Sequence, residues 1–307
     1  MRLKLITLHV GFWSVLCVAP LAAFAQGAAK PGPQCSAARL VGTWERVSLL
    51  RNALSVQPPD APLFVKFGSD GYWSMMEMPD DRPKVDKPLE QLTTKELFAR
   101  FDKVEGGQGT WTVKADGSVV TRRHVVNIAP GGENSNQDRL CWFEDEILAL
   151  VGTGSNRSPQ ARFRRLPDQK NPVHPLVGTW DRTTLVADCR AVPQAALILI
   201  LGEDGWFSQT ELPTGRKSPG KPIEQYAVAD YVNSFGRLSA ARGTYTVNGN
   251  TLTRKQVASV DPNQVGREIA GEFSVSGDAM TLRGTARTGM KFESVFRKLK
   301  PQETTAK

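Results

Sequence analysis

Histidine is scarce in this chain, three residues in 307, and cysteine hardly less so at four. His9 lies in the N-terminal leader, so only His124 and His174 remain beyond it. Two scattered imidazoles cannot supply a metal shell or a Ser-His pair, and no metal or cofactor is expected. There is no Gly-x-Ser-x-Gly, His-Glu-x-x-His, phosphate-binding Gly-rich loop or dinucleotide fingerprint, so no catalytic residue can be named. No Cys-x-x-Cys occurs, which removes the thiol redox and zinc-ribbon readings. The chain carries +8 at pH 7, but no run of five basic residues. A solvated basic surface fits that scatter better than a nucleic-acid face, and no nucleic-acid partner is expected. Beyond Ala25 no apolar run is long enough to span a bilayer, so no stable membrane insertion is expected of the mature chain.

What is present begins with a leader. Arg2 and Lys4 precede an apolar stretch from about Val10 to Phe24, ending in Ala23-Phe24-Ala25. This has the order of a secretory signal peptide over residues 1–25, cleaved after Ala25, and implies a periplasmic or secreted protein. In such a compartment a disulfide is permitted. Cys35 and Cys141 fall in the same half of the chain and are the first pair to consider, leaving Cys189 free. Spacing also allows Cys35 with Cys189.

The strongest signal is a repeat. Leu40-Val41-Gly42-Thr43-Trp44-Glu45-Arg46 recurs as Leu176-Val177-Gly178-Thr179-Trp180-Asp181-Arg182. Asp70-Gly71-Tyr72 recurs as Asp204-Gly205-Trp206, and Lys87-Pro88-Leu89-Glu90-Gln91 as Lys221-Pro222-Ile223-Glu224-Gln225. Gly109-Thr110-Trp111-Thr112-Val113 answers Gly243-Thr244-Tyr245-Thr246-Val247. Thr121-Arg122-Arg123 answers Thr253-Arg254-Lys255, and Phe163-Arg164-Arg165-Leu166 answers Phe296-Arg297-Lys298-Leu299. The offset holds between 132 and 136. A period this long describes whole domains, not solenoid units. The repeats cover residues 36–166 and 176–300, with a Pro-rich linker at 167–175 and a short C-terminal tail at 301–307.

Each repeat reads as short strands with one helix. Asn248-Gly249 and Asp116-Gly117 between β-branched runs are hairpin signals. So is Gly277-Asp278 within Phe273–Leu282. Apolar residues at helical spacing predict helices over Thr94–Phe101 and Val228–Phe235. About eight strands and one helix per repeat indicate an all-β fold of two tandem small antiparallel barrels. Alternation puts Lys66, and its counterpart Ile200, on the outer barrel face. An apolar outer face wants covering. Ile198 and Ile200 are therefore expected either to bury the contact between domains or to pack under a segment of their own domain.

These blocks resemble the lipocalin-like domain family of bacteria and fungi, taken as two copies over nearly the whole mature chain. The likeness is closer in the second repeat. It implies up-and-down lipocalin-like barrels, each closed at one end by the opening tryptophan under a last-strand arginine: Trp44 with Arg164, and Trp180 with Arg297. It also implies a cavity for a small hydrophobic ligand. Tyr72, Trp73, Met75, Trp206 and Phe207 are the candidate lining, one of each adjacent aromatic pair facing inward. Arg139 and Arg267, ahead of late strands, are candidates to meet a ligand carboxylate. Glu77 with Glu211, and Glu90 with Glu224, are repeated carboxylates whose simplest reading is a strand end or a helix N-terminal charge. Two other readings stand beside the binding protein: a cyclase or isomerase acting at the two-barrel junction, and an envelope or interaction protein with filled barrels.

Overall fold

A computed structural model describes residues 34–51, 55–57, 61–153, 160–169, 175–192, 195–286 and 289–306. Residues 1–25, where a leader is expected, His174 and most of the linker lie outside the described residues. The chain forms two closed eight-stranded antiparallel barrels. In the first they are β1 (Gly42–Arg51), β2 (Leu63–Phe67), β3 (Tyr72–Glu77), β4 (Glu105–Lys114), β5 (Val119–Asn127), β6 (Asn136–Glu144), β7 (Ile147–Gly152) and β8 (Gln160–Arg165). In the second they are β9 (Gly178–Ala187), β10 (Ala196–Leu201), β11 (Trp206–Leu212), β12 (Ser239–Asn248), β13 (Thr251–Ser259), β14 (Glu268–Ser276), β15 (Ala279–Thr285) and β16 (Lys291–Lys298). Each strand pairs with its sequence neighbours, and β1–β8 and β9–β16 close the two cylinders. Both seams carry a register shift at the same place, Arg46/Ser48 and Arg182/Thr184.

Among the described residues three α-helices accompany the barrels. The short α1 (Ala37–Leu40) precedes the first barrel. Helices α2 (Thr94–Phe101) and α3 (Val228–Phe235) sit where the sequence periodicity placed them. Thr93 caps α2 through a reciprocal box with Glu96, satisfying two otherwise unpaired N-terminal amides. The hairpin turns have left-handed Gly117, Gly249 and Gly277, the conformation for which glycine has no steric penalty.

The base of each barrel is closed identically. Trp44 donates its indole N–H to Leu40 O and Trp180 to Leu176 O, both at 2.8 Å. The expected arginines do not cover them. Arg164 and Arg297 point outward to Glu45 and Asp181, and both are mostly exposed. The strand residue opposite Trp180 is Lys298, whose ammonium lies 5.3 Å from the indole centroid; Arg165 stands opposite Trp44. On a strand one residue reverses the face, so Arg165 and Lys298, and not their neighbours Arg164 and Arg297, stand opposite the tryptophans. In the first barrel Cys35 and Cys141 form a disulfide, tying the segment before α1 to β6, while Cys189 is free and exposed.

The barrels meet face to face through their outer surfaces. Ile198 and Ile200 cluster with Tyr72 and Val126 of the first barrel, so the apolar outer face does cover the domain contact. Lys66 is also buried there, its ammonium 2.5 Å from Asp204 and 3.2 Å from the Thr43 hydroxyl. Burial alone would raise the Asp204 carboxyl, but the Lys66 charge and the hydrogen bonds from Lys66 and Thr43 hold it below the usual carboxylate range. Arg242 is buried 3.3 Å from the Phe64 ring centroid, beside Trp206.

The two halves grip each other reciprocally. Arg82 donates to Ser259 O and Val260 O of the second barrel. Arg216, at the same place in the second repeat, donates to Asn127 O and Ile128 O of the first. The segments following each barrel cross over in the same way. Pro167 O accepts from the Trp206 indole and Gln169 N donates to Asp204 O. Gln302 N donates to Asp70 O. Lys300 O faces the Tyr72 hydroxyl. The tail ends as β17 (Thr305–Ala306), parallel to β4 of the first barrel. The start of the linker and the C-terminal tail, expected to be simple connections, are therefore straps.

Candidate functional site

Strand alternation dictates what each barrel encloses. Trp180 faces inward, so Arg182, two residues on, does as well; likewise Phe207, Gln209 and Glu211 on β11, and Leu252 and Arg254 on β13. The closed half of the interior is apolar: Trp180, Leu199, Leu201, Phe207, Tyr245, Leu252, Met280 and Phe296 pack together. Above them the interior turns polar. Arg182 bridges Glu211 at 2.5 Å and Ala195 O at 3.2 Å. The first barrel repeats this with Arg46, Glu77 and Ala61 O. The repeated glutamates Glu77 and Glu211 are thus counter-ions inside the barrels. Glu90 and Glu224 sit in the first turn of short 3-10 segments, as their simplest reading had it.

At this level the barrels diverge. The second holds a hollow of about 500 Å³, open at the end away from Trp180. Leu197, Ile269, Phe292 and Phe296 give it apolar walls; Arg182, Gln209, Glu211 and Arg254 give it polar ones. The Arg254 guanidinium donates to Gln209 Oε1 at 2.5 Å and lies 5.9 Å from the Phe207 ring centroid. Burial pushes its pKa down to about 10, so it stays charged at neutral pH.

In the first barrel the corresponding space is filled. Trp73, in place of Phe207, is fully buried under the Arg122 guanidinium at 4.8 Å, with the His124 ring edge-on at 4.8 Å. Arg122 also donates to Gln137 at 2.9 Å, and is 3% exposed. Burial, and then the Arg139 charge, bring it to about 9. Strand register pairs Val120 with Arg139 and Leu252 with Gly271. Where the first barrel places an arginine side chain, the second has none. Nearby, Gln137 is replaced by Ile269.

The sequence candidates separate accordingly. Trp73, Met75 and Arg139 face the interior of the filled barrel, with Arg139 inside β6 and not ahead of it. Phe207 is core beneath the hollow of the second barrel. Arg267, just ahead of β14, is exposed at the rim of that hollow. Tyr72 and Trp206 do not line a cavity: both face the opposite barrel, buried in the domain contact, because their neighbours Trp73 and Phe207 take the inward positions. The residues missed were Arg254, Gln209, Ile269 and Phe292. Alternation from Phe207 and Leu252 would have found the first two.

No protein-family profile matches the chain, and no curated protein matches it in sequence. Among solved structures, a redesigned β-barrel is similar over 41% of this chain and 92% of its own, at 16% identity and TM-score 0.27. A protein of unknown function from the DUF3598 family of Nostoc punctiforme PCC 73102 is similar over 85% of this chain and 97% of its own, at 10% identity and TM-score 0.21. A point mutant of transferrin binding protein B, a vaccine antigen from Haemophilus parasuis Hp5, is similar over 79% of this chain and 61% of its own, at 10% identity and TM-score 0.17.

One recess between the barrels is small. It holds about 110 Å³ and is lined by Gly42, Lys66, Asp70, Gly178 and Asp204 among others. That is space for a few waters. Among the described residues no cluster of three or more His, Cys, Asp or Glu could hold a metal, and no helix is long and apolar enough to cross a membrane.

Proposed function

We propose that this is an exported lipocalin-like binding protein that holds one small, mainly apolar molecule in its second barrel. The observation that carries this reading is the contrast in filling: about 500 Å³ open above Phe207, against a packed Trp73–His124–Arg122 layer in the first barrel. Cavities of a few hundred Å³ with apolar walls and a few convergent polar groups are the usual form of a small-molecule site. The first barrel then acts as a scaffold, clamped to the second by Arg82, Arg216 and the two straps. The N-terminal leader supports export, and the Cys35–Cys141 disulfide suits an oxidising compartment.

Native mass spectrometry of gently purified protein, with titration of a lipophilic fluorescent dye, tests the reading. One retained small molecule or one dye per chain is expected. A folded chain that retains nothing and binds no dye would instead favour an interaction protein. Intact mass of the chain recovered from the periplasm or medium tests export, with a mature start at Gln26 expected.

A further inference from the structure

The second-barrel hollow is lined by an arginine, Arg254, that has no carboxylate partner among the described residues. Arg182 is matched by Glu211, and that carboxylate is spent on it. Among the described residues no carboxylate forms an ion pair with Arg254. Among the described residues its hydrogen-bond partner is the neutral amide of Gln209, and its buried Nε has none, as is also true of Arg122 Nε. The walls around it are Leu197, Ile269, Phe292 and Phe296. A charged group removed from water without a counter-ion is costly, and proteins resolve the cost by pairing.

The equivalent guanidinium in the first barrel shows what a purely structural solution looks like. Arg122 lies over the Trp73 ring, donates to Gln137, and is sealed from solvent. In the second barrel the indole has become Phe207, Gln137 has become Ile269 and the Arg139 position is Gly271. Arg254 consequently faces open space with part of its donor fork unused.

We infer that the second barrel binds an amphipathic monoanion, a carboxylate on an apolar body, with Arg254 receiving the head and Leu197, Ile269, Phe292 and Phe296 the body. This rests on the reading of the hollow as a ligand site and names the class of ligand. A planar guanidinium matches a carboxylate through paired N–H donors, and the surrounding low dielectric strengthens that contact. At the rim Arg267 stands beside Glu268, so the entrance carries both signs of charge and the head-group selectivity falls to Arg254 inside.

The test uses the full chain and two probes of equal length, dodecanoate and dodecan-1-ol, titrated by calorimetry at neutral pH. The acid is expected to bind at one equivalent, roughly tenfold or more tighter than the alcohol. Arg254→Met should abolish the roughly tenfold preference for the acid over the alcohol. Gln209→Glu gives Arg254 an internal carboxylate and should produce the same selective loss without deleting the guanidinium, so the test survives if Arg254→Met does not fold. Equal binding of both probes by the parent protein overturns the anion inference and leaves the cavity reading intact. Binding of neither probe by folded protein overturns the cavity reading itself. Full acid affinity retained in both variants removes Arg254 from the site.

Discussion

The two barrels began as the same sequence block and now solve the same interior differently. The first is stapled by Cys35–Cys141 and filled by Trp73, His124, Arg122 and Arg139. The second has no staple, places Phe207, Gln256, Arg254 and Gly271 at those positions, and keeps a hollow. The shared parts are those closing and framing each barrel: the tryptophan bonded to Leu40 or Leu176, and the Arg–Glu pair Arg46–Glu77 or Arg182–Glu211. A barrel can therefore be held closed at one end by a few invariant contacts while the opposite end is packed or opened by a handful of substitutions. Function, on this comparison, belongs to the differences and not to the repeated motif.

The comparison can be broken most severely at the staple. Replacing Cys35 and Cys141 by serine opens a loop spanning 106 residues. That should cost about 4 kcal/mol, chiefly by freeing the unfolded chain. Denaturant unfolding should show the loss, and the second barrel should keep its dye binding under conditions where the first has unfolded.

Next in size is a charged departure from symmetry in the domain contact, Lys66 against Ile200. Lys66→Ile copies Ile200 into the first barrel and strands the Asp204 carboxylate, which should destabilise by about 3 kcal/mol. Adding Asp204→Asn should recover much of that loss in the same thermal melts. A double variant as unstable as the single one would mean that the lysine stem, not the ion pair, supports the contact.

Filling the open barrel should erase the functional difference at little structural cost. Ile269→Trp projects an indole into the hollow and should weaken dye binding about tenfold or more, with stability changed by roughly 1 kcal/mol or less. Unaltered dye affinity would move the ligand site elsewhere.

The smallest effect concerns pH. Burial, and then the Arg122 charge, lower the His124 pKa, so the native protein holds a neutral imidazole. The unfolded chain takes up a proton near pH 6.5, which the folded chain resists. Stability is thus full above about pH 6.5 and declines as pH falls toward the depressed native value. His124→Gln, the residue of the second repeat, should flatten this part of the stability–pH curve as pH falls below about 6.5. An identical slope in parent and variant would assign the acid sensitivity to another group.

Much of the scaffold was legible before any coordinates. The helices at Thr94–Phe101 and Val228–Phe235 follow from 3.6-residue spacing, and the hairpins from Asn248-Gly249, Asp116-Gly117 and Gly277-Asp278. The apolar outer face at Ile198 and Ile200 followed from a two-residue alternation compared between copies. The site was much less legible. Tyr72 and Trp73 are adjacent aromatics of similar character, and nothing local states which one looks inward. Arg164 and Arg165 pose the same ambiguity in the last strand. Arg254 is one of 39 basic residues, marked as special only by what surrounds it.

The sequence alone determined the tandem repeat, the strand and helix periods within it, and hence two antiparallel barrels with a tryptophan at each base. Those are local or repetitive properties, written in residue spacing and repeated in both copies. Tertiary structure decided that Lys66 meets Asp204, that Arg82 and Arg216 exchange places across the domain contact, and that the C-terminal tail returns to β4. It also decided which barrel is open. Each of those depends on the registration of strands far apart in the chain, where a slip of one residue exchanges inside for outside and a glycine opposite Leu252 leaves room that an arginine opposite Val120 fills.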